Sequence, residues 1–123
     1  MRAFLPYMKN KDGHIVFINS LSAIHGMING CTYSASKFGL LGFMHALEEE
    51  LRHDPSTSKI KLTSVHPYFI RTNKEFSQFW NLRIKELEVK EASELIINGI
   101  RKELKFFSVP GSEVGYWLST LSR

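Results

Sequence analysis

Three short apolar runs alternate along the chain with longer stretches in which apolar residues recur every three or four positions. The run His14-Ile15-Val16-Phe17-Ile18, opened by the turn residues Asp12-Gly13, predicts a strand covered on both faces. Ile60 to Val65 is a second strand candidate, entered from Asp54-Pro55-Ser56-Thr57-Ser58. Phe106-Phe107-Ser108-Val109 is a third, closed by Pro110-Gly111. Between the first two, Leu40, Phe43, Met44, Leu47 and Leu51 follow helical spacing and predict a long helix over Tyr33 to His53. Between the second and third, Leu95, Ile96, Ile100 and Leu104 predict another over Ala92 to Leu104, with Gly99 as a weak point. Strands alternating with helices of this length read as βαβ units and a parallel sheet, an α/β fold. No internal repeat, low-complexity tract or linker interrupts the pattern, and 123 residues make one domain.

Composition narrows the function classes. Hydrophobic residues make up 43% and charged residues 23%, which a packed globular chain requires and a disordered one lacks. A single cysteine, Cys31, excludes an intrachain disulfide and a thiolate-rich metal cluster; as a small apolar side chain it is expected to be packed. The five histidines show no His-x-x-x-His spacing, so no metal is expected and structural or surface roles are. A net charge of +4 could suit nucleic acid, but the basic residues are scattered in pairs such as Lys9/Lys11, Lys59/Lys61 and Arg101/Lys102. The expectation is a solvated, mildly basic surface and no nucleic-acid partner. The longest aliphatic and aromatic run, Ile15 to Ile18, is far short of the roughly 20 residues a spanning helix needs. The first residues hold no apolar stretch long enough for a secretory signal, so a soluble, intracellular domain is expected.

Chemistry concentrates at the start of the long helix. Tyr33 and Lys37 are four residues apart, so on a helix both project from one face. An ammonium beside a phenol favours the phenolate, which suits a group that must give and take a proton. The preceding strand ends at Asn19-Ser20, and open α/β sheets place their ligands at the carboxyl ends of strands. Ser20 lies thirteen residues before Tyr33, and the second strand runs into the loop His66-Pro67-Tyr68-Phe69-Ile70-Arg71-Thr72. Ser20 has no Gly-x-Ser-x-Gly elbow around it, which argues against a serine hydrolase.

The combination Gly13-His14-Ile15-Val16, Ile18-Asn19-Ser20 and Tyr33-Ser34-Ala35-Ser36-Lys37 resembles the short-chain dehydrogenase/reductase family. Phe38-Gly39-Leu40 and Gly42-Phe43 continue the likeness, and Pro67 with Thr72 is similar to the family's Pro-Gly-x-x-x-Thr cofactor loop. The resemblance implies a Rossmann-type three-layer sandwich with NAD or NADP as cofactor. It makes Tyr33 the general acid or base and Lys37 the residue that holds the nicotinamide ribose and steadies the phenolate. Ser20 then orients the substrate oxygen, and Thr72 meets the nicotinamide carboxamide, with the backbone of Pro67, Phe69 and Ile70 along the cofactor. Tyr68 stands where the family often has glycine, and Ser22 is two residues out of register and serves as a loop or core hydroxyl.

The family's Gly-x-x-x-Gly-x-Gly phosphate loop and its Asn-Asn-Ala-Gly segment are absent from the 123 residues. By resemblance, Arg2 to Met8 match the last turns of the family's fifth helix. The expectation is therefore one partial domain, residues 1–123, holding about three parallel strands with flanking helices and lacking the N-terminal phosphate-binding half. Residues 66–73 and 107–110 look most like the branch of retinol dehydrogenases and hydroxysteroid 17-beta dehydrogenases. That implies a small apolar substrate, a retinoid or steroid, and a place on the cytoplasmic face of the endoplasmic reticulum or on lipid droplets; without that analogy the place is cytoplasmic. Membrane association would come only through the missing N-terminus. Phe76, Phe79 and Trp80, with Leu82, Ile84 and Leu87, are spaced to line the substrate on one helix face or to pack on the domain. Ala35, Gly39, Gly42 and Ala46 make a small-residue stripe on the Tyr33–His53 helix, which either packs on the sheet or, as in the family, meets its mate in a homodimer. The rival function is a non-catalytic isoform that acts by pairing with a full-length dehydrogenase.

Overall fold

The computed structural model describes residues 3–72 and 85–111. Phe76, Phe79 and Trp80, expected to face the substrate, lie outside the described residues. Within them the order is α1 (Leu5–Met8), β1 (His14–Ile18), a 3-10 turn (Leu21–Ala23), α2 (Cys31–His53), β2 (Lys61–Pro67), α3 (Val89–Arg101) and β3 (Phe106–Val109). The strands form one parallel sheet in the order β1-β2-β3. Ile15 pairs with Leu62 and Phe17 with Ser64 on one side of β2, and Val65 with Phe107 on the other.

Two apolar clusters lie on opposite faces of that sheet, because neighbouring residues of a strand point opposite ways. Leu62 and Phe17 join Met44, Leu47 and Leu51 of α2 and Ile60 on one face. Val65 and Val109 join Ala92 of α3 and Leu87 on the other. Each fully buried side chain among these gains roughly 1.5–3 kcal/mol from leaving water. The result is the three-layer α/β sandwich expected, incomplete and with three parallel strands.

The two-sided cover expected for β1 is incomplete: Ile15 and Phe17 pack on one cluster and Val16 against the other. Only Phe17 of its five residues is buried, and Ile18 is 52% exposed. The unbroken apolar run is shared with a buried strand, but β1 stands at the edge of the described sheet. The central strand is β2, buried from Leu62 through Pro67. It extends two residues beyond the expected Val65. Odd residues of β2 donate toward β1, as Lys61 N–H does to Gly13 O at 2.8 Å, so the N–H that Pro67 lacks would point past the end of β1.

The helices differ from expectation mainly at their ends and faces. Starting at Cys31, α2 leaves that cysteine exposed at its first turn, not packed. Its inner face carries Ser34, Met44, Leu47 and Leu51, while Phe43, expected with them, stands at the margin of that face, 47% exposed with its ring edge-on to Phe17 at 6.2 Å. A side chain added at Gly39 or Gly42 would meet nothing within 4 Å, so the small-residue stripe faces away from the sheet. In α3 the weak point has a cause. A Cβ on Gly99 would lie 2.2 Å from the ring of Phe107, so only glycine lets the helix approach β3 this closely.

Candidate active site

The ladder from β1 continues one residue past the strand, Asn19 N–H donating to Val65 O at 2.8 Å. Ser20 then turns the chain away. Its N–H donates to its neighbour Asn19 Oδ1 at 3.1 Å, and its Oγ accepts from Ser22 N–H at 3.1 Å. That second bond caps the 3-10 turn and makes Ser22 a buried turn residue, not a competitor for the serine role. It also has a chemical effect. An oxygen already accepting from the backbone keeps its own hydrogen free to donate outward.

The loop from Ile24 to Gly30 brings the chain to α2. Asn29 takes up φ 56°, a left-handed conformation that asparagine tolerates, and Met27 N–H donates to Ser34 Oγ at 3.1 Å. This ties the loop to the first turn of the helix, where Tyr33 sits 45% exposed. One turn on, Lys37 Nζ lies 5.7 Å from the Tyr33 ring centroid and donates to Ile18 O at 3.2 Å. Lys37 thus joins the phenol to the end of β1, two residues from Ser20. The helix spacing that suggested one shared face is realised, with the ammonium anchored by strand backbone.

The expected cofactor segment leaves the carboxyl end of β2. Pro67 is buried, and Tyr68 N–H donates to Val109 O at 2.8 Å. Leu87 is bridged by both sides of this segment, its N–H donating to Phe69 O at 3.1 Å and its carbonyl accepting from Arg71 N–H at 2.9 Å. Ile70 pairs with Leu87 in an isolated bridge, and Thr72 N–H turns back to Ile70 O at 2.8 Å, leaving Thr72 exposed. Arg71 reaches Glu86 at 3.4 Å and Glu88 at 2.6 Å. So Ser20, Tyr33, Lys37 and residues 67–72 gather at the carboxyl ends of β1 and β2.

Two further residues here carried little signal in the sequence. His66 is fully buried, with Nδ1 2.9 Å from Ser20 O and Nε2 2.8 Å from Ser64 Oγ. Burial holds its imidazole below the ordinary histidine range, against the opposing pull of the Ser20 carbonyl. A histidine two residues after Ser64, so on the same face of the strand, was the one hint. Asn19 Nδ2 is buried and has no hydrogen-bond partner. An amide left so costs about 1–3 kcal/mol, unless a group from outside the described residues receives it.

A cleft of about 230 Å³ opens at the other end of the sheet, lined by Glu48, Arg52, Lys61, Glu103 and Lys105 among others. Its charges neutralise one another, Lys61 with Glu103 at 2.6 Å and Lys105 with Glu48 at 2.7 Å. The Lys105 hydrogen bond holds the Glu48 carboxyl below its usual range. This is a solvated ion-pair cluster at the amino ends of the strands. Among the described residues no group of His, Cys, Asp and Glu is placed to hold a metal, and no helix is long and apolar enough to cross a membrane.

Comparison with known proteins agrees with this geometry. The short chain dehydrogenase family matches residues 1–79. Short-chain dehydrogenase/reductase family 16C member 6 of Bos taurus is 37% identical over 112 residues, covering 89% of this chain and 35% of that protein. Human estradiol 17-beta-dehydrogenase 11 is 33% identical over 123 residues, covering 99% of this chain and 40% of that protein. A putative oxidoreductase, SadH, of Mycobacterium tuberculosis is 32% identical over 118 residues, with 82% and 41% covered. The chain therefore spans about two fifths of the length of the curated relatives it matches. In fold it is similar to a short chain dehydrogenase of Burkholderia cenocepacia solved with NADP, at a TM-score of 0.73, 22% identity, and 97% and 46% coverage. Sequence match, sheet order and strand-end geometry lead to one conclusion: the chain belongs to the short-chain dehydrogenase family, near its hydroxysteroid 17-beta-dehydrogenase branch.

Proposed function

We propose that this chain is the substrate-side half of an NAD(P)-dependent oxidoreductase that interconverts a lipid-like alcohol, such as a retinoid or steroid, with its ketone or aldehyde. The observation that carries the reading is the Ser20 hydroxyl, held as an acceptor by Ser22 N–H so that its hydrogen is free, at the same strand end as the Tyr33–Lys37 pair. Ser20 donates to the substrate oxygen and fixes its direction. Tyr33 gives that oxygen its proton in reduction and takes it back in oxidation. Lys37 supplies the positive charge that steadies negative charge on the phenol oxygen.

The donor set fits the nicotinamide–ribose end of the cofactor. An ammonium and a phenol stand one turn apart, and at the end of β1, next in the chain to Ser20, the buried Asn19 Nδ2 has no partner among the described residues. Tyr33 and Lys37 would hold the ribose, with Pro67, Phe69, Ile70 and Thr72 along the nicotinamide. When bound, the nicotinamide supplies or accepts the hydride. The pyrophosphate needs an amide-lined glycine-rich turn, which these 123 residues do not include. Catalysis is thus a property of a domain in which that turn accompanies this segment. The lipid substrate rests on the family branch, whose names include estradiol 17-beta-dehydrogenase 11, and placement at the endoplasmic reticulum or lipid droplets rests on the same analogy.

The test has two arms. Titrated alone with NADH and NADPH, the 123-residue chain is expected to show no saturable fluorescence change below about millimolar concentration; micromolar binding sinks the division of labour. In a complete dehydrogenase domain carrying this segment, Tyr33→Phe is expected to lower kcat at least about a hundredfold with cofactor affinity nearly unchanged. Retention of most activity would remove Tyr33 from the chemistry.

A second reading has an observation of its own. The outer face of α2 carries Phe38, 46% exposed, beside Gly39 and Gly42 with open space above them. Such a face fits a second copy of the same helix, so the chain pairs through α2, with itself or with a complete dehydrogenase. Sedimentation of Gly42→Leu, compared with the parent, tests it: an unchanged dimer fraction rejects α2 as the contact.

A further inference from the structure

The reaction assigned to Ser20 asks more of that residue than a free hydroxyl, because its oxygen must keep one position while substrate arrives. Ser20 is extended, at φ −161° and ψ 158°, a conformation that nothing local enforces. Its N–H is held by Asn19 Oδ1 and its Oγ by Ser22 N–H. The carbonyl accepts twice, from Ala23 N–H at 3.0 Å within the turn and from His66 Nδ1 at 2.9 Å across the sheet. Three of these bonds are local. The histidine is the long-range one, 46 residues away in the chain.

We propose that His66, held as the Nδ1–H tautomer, is a positioning residue for Ser20 that locks the serine to the start of the 67–72 segment; this rests on the reading that Ser20 orients the substrate. The tautomer follows from the partners. A carbonyl oxygen can only accept, so Nδ1 carries the proton. Nε2 of the neutral ring is then bare and accepts from the Ser64 hydroxyl at 2.8 Å. Ser64 and His66 are both fully buried, so no water competes for the contact between them. The Phe106 ring lies over the imidazole, with centroids 4.0 Å apart and planes at 31°, and blocks rotation of the ring from the β3 side. His66 is followed directly by Pro67, so the imidazole, together with the ladder bond from Asn19 N–H to Val65 O, ties the serine turn to the segment expected to meet the nicotinamide. The expected structural role of the histidines thus becomes, for this one, control of where the substrate oxygen and the cofactor stand relative to each other.

The test separates the two nitrogens. Nitrogen-15 imidazole spectra of the 123-residue chain should show His66 protonated at Nδ1 and bare at Nε2. An Nε2–H tautomer, or an averaged pair, overturns the proposal whatever the enzyme does. His66→Asn offers an N–H near the Nδ1 position, and His66→Gln offers one near Nε2. In a complete dehydrogenase domain carrying this segment, His66→Asn should keep kcat within about threefold, and His66→Gln should lower it at least about tenfold with cofactor Kd unchanged. Equal losses in both, or a loss carried by cofactor affinity, would reduce His66 to packing. Should both variants fail to fold, Ser64→Ala decides: the proton staying on Nδ1 supports the tie to Ser20, and its transfer to Nε2 refutes it. If Tyr33→Phe is as active as its parent, the catalytic reading has failed, while the tautomer still judges the tie to Ser20.

Discussion

The two long helices lie on opposite faces of one sheet, and each contains glycine, yet the glycines answer to different demands. In α3, Gly99 is buried against the Phe107 ring, and any side chain there would collide with it. In α2, Gly39 and Gly42 face open space, next to the exposed Phe38. A glycine inside a helix costs roughly 0.5–1 kcal/mol relative to alanine. In α3 the close approach to β3 offsets that cost. Nothing in α2's packing on the sheet does, although the same helix buries Met44, Leu47 and Leu51 on its inner side. One helix is shaped by its sheet alone, and the other also by its outer face and by the chemistry at its first turn.

The sharpest way to break the contrast is inside α2 itself. Met44→Ala, at a residue 1% exposed, is expected to lower unfolding stability by about 2–5 kcal/mol, whereas Phe38→Ser on the outer face should change it by less than about 0.5. Urea denaturation of both measures the difference, and similar losses would mean that the outer face is covered. Gly99→Ala comes next, with a loss of about 1–3 kcal/mol from overpacking against Phe107, reduced by the helix-propensity gain. Its thermal midpoint should drop, and Phe107→Leu in the same chain should recover part of it. Gly42→Ala should move the other way and stabilise the chain by about 0.5–1 kcal/mol, since its methyl meets nothing. Destabilisation there would show that the position is occupied by a partner helix. The smallest effect is at the end of α3, where Glu103 takes a left-handed φ of 55° while pairing with Lys61. Glu103→Gly relieves the backbone and loses only a solvent-exposed ion pair, so the urea midpoint is expected to rise slightly; a clear fall would give the ion pair the larger part.

Local pattern was enough for much of this molecule. Turn residues and apolar runs located β1 and β3 to the residue, because a short strand between breakers leaves a one-dimensional record. Spacing alone put Tyr33 and Lys37 on one helix face, and the resemblance to the family marked Ser20. What the sequence could not carry is which faces meet. The run Ile15 to Ile18 has the composition of a buried strand, but its burial depends on what stands at the sheet edge, and Phe43 has the periodicity of a core residue but meets the core only through the edge of Phe17. The tie from His66 to Ser20 and the seat of Gly99 under Phe107 join positions far apart in the chain or on different elements. Periodicity records how a segment folds on itself. Only the packing of the sheet against α2 and α3 decided that a buried imidazole reaches the serine, because that contact exists only once β1 and β2 are side by side.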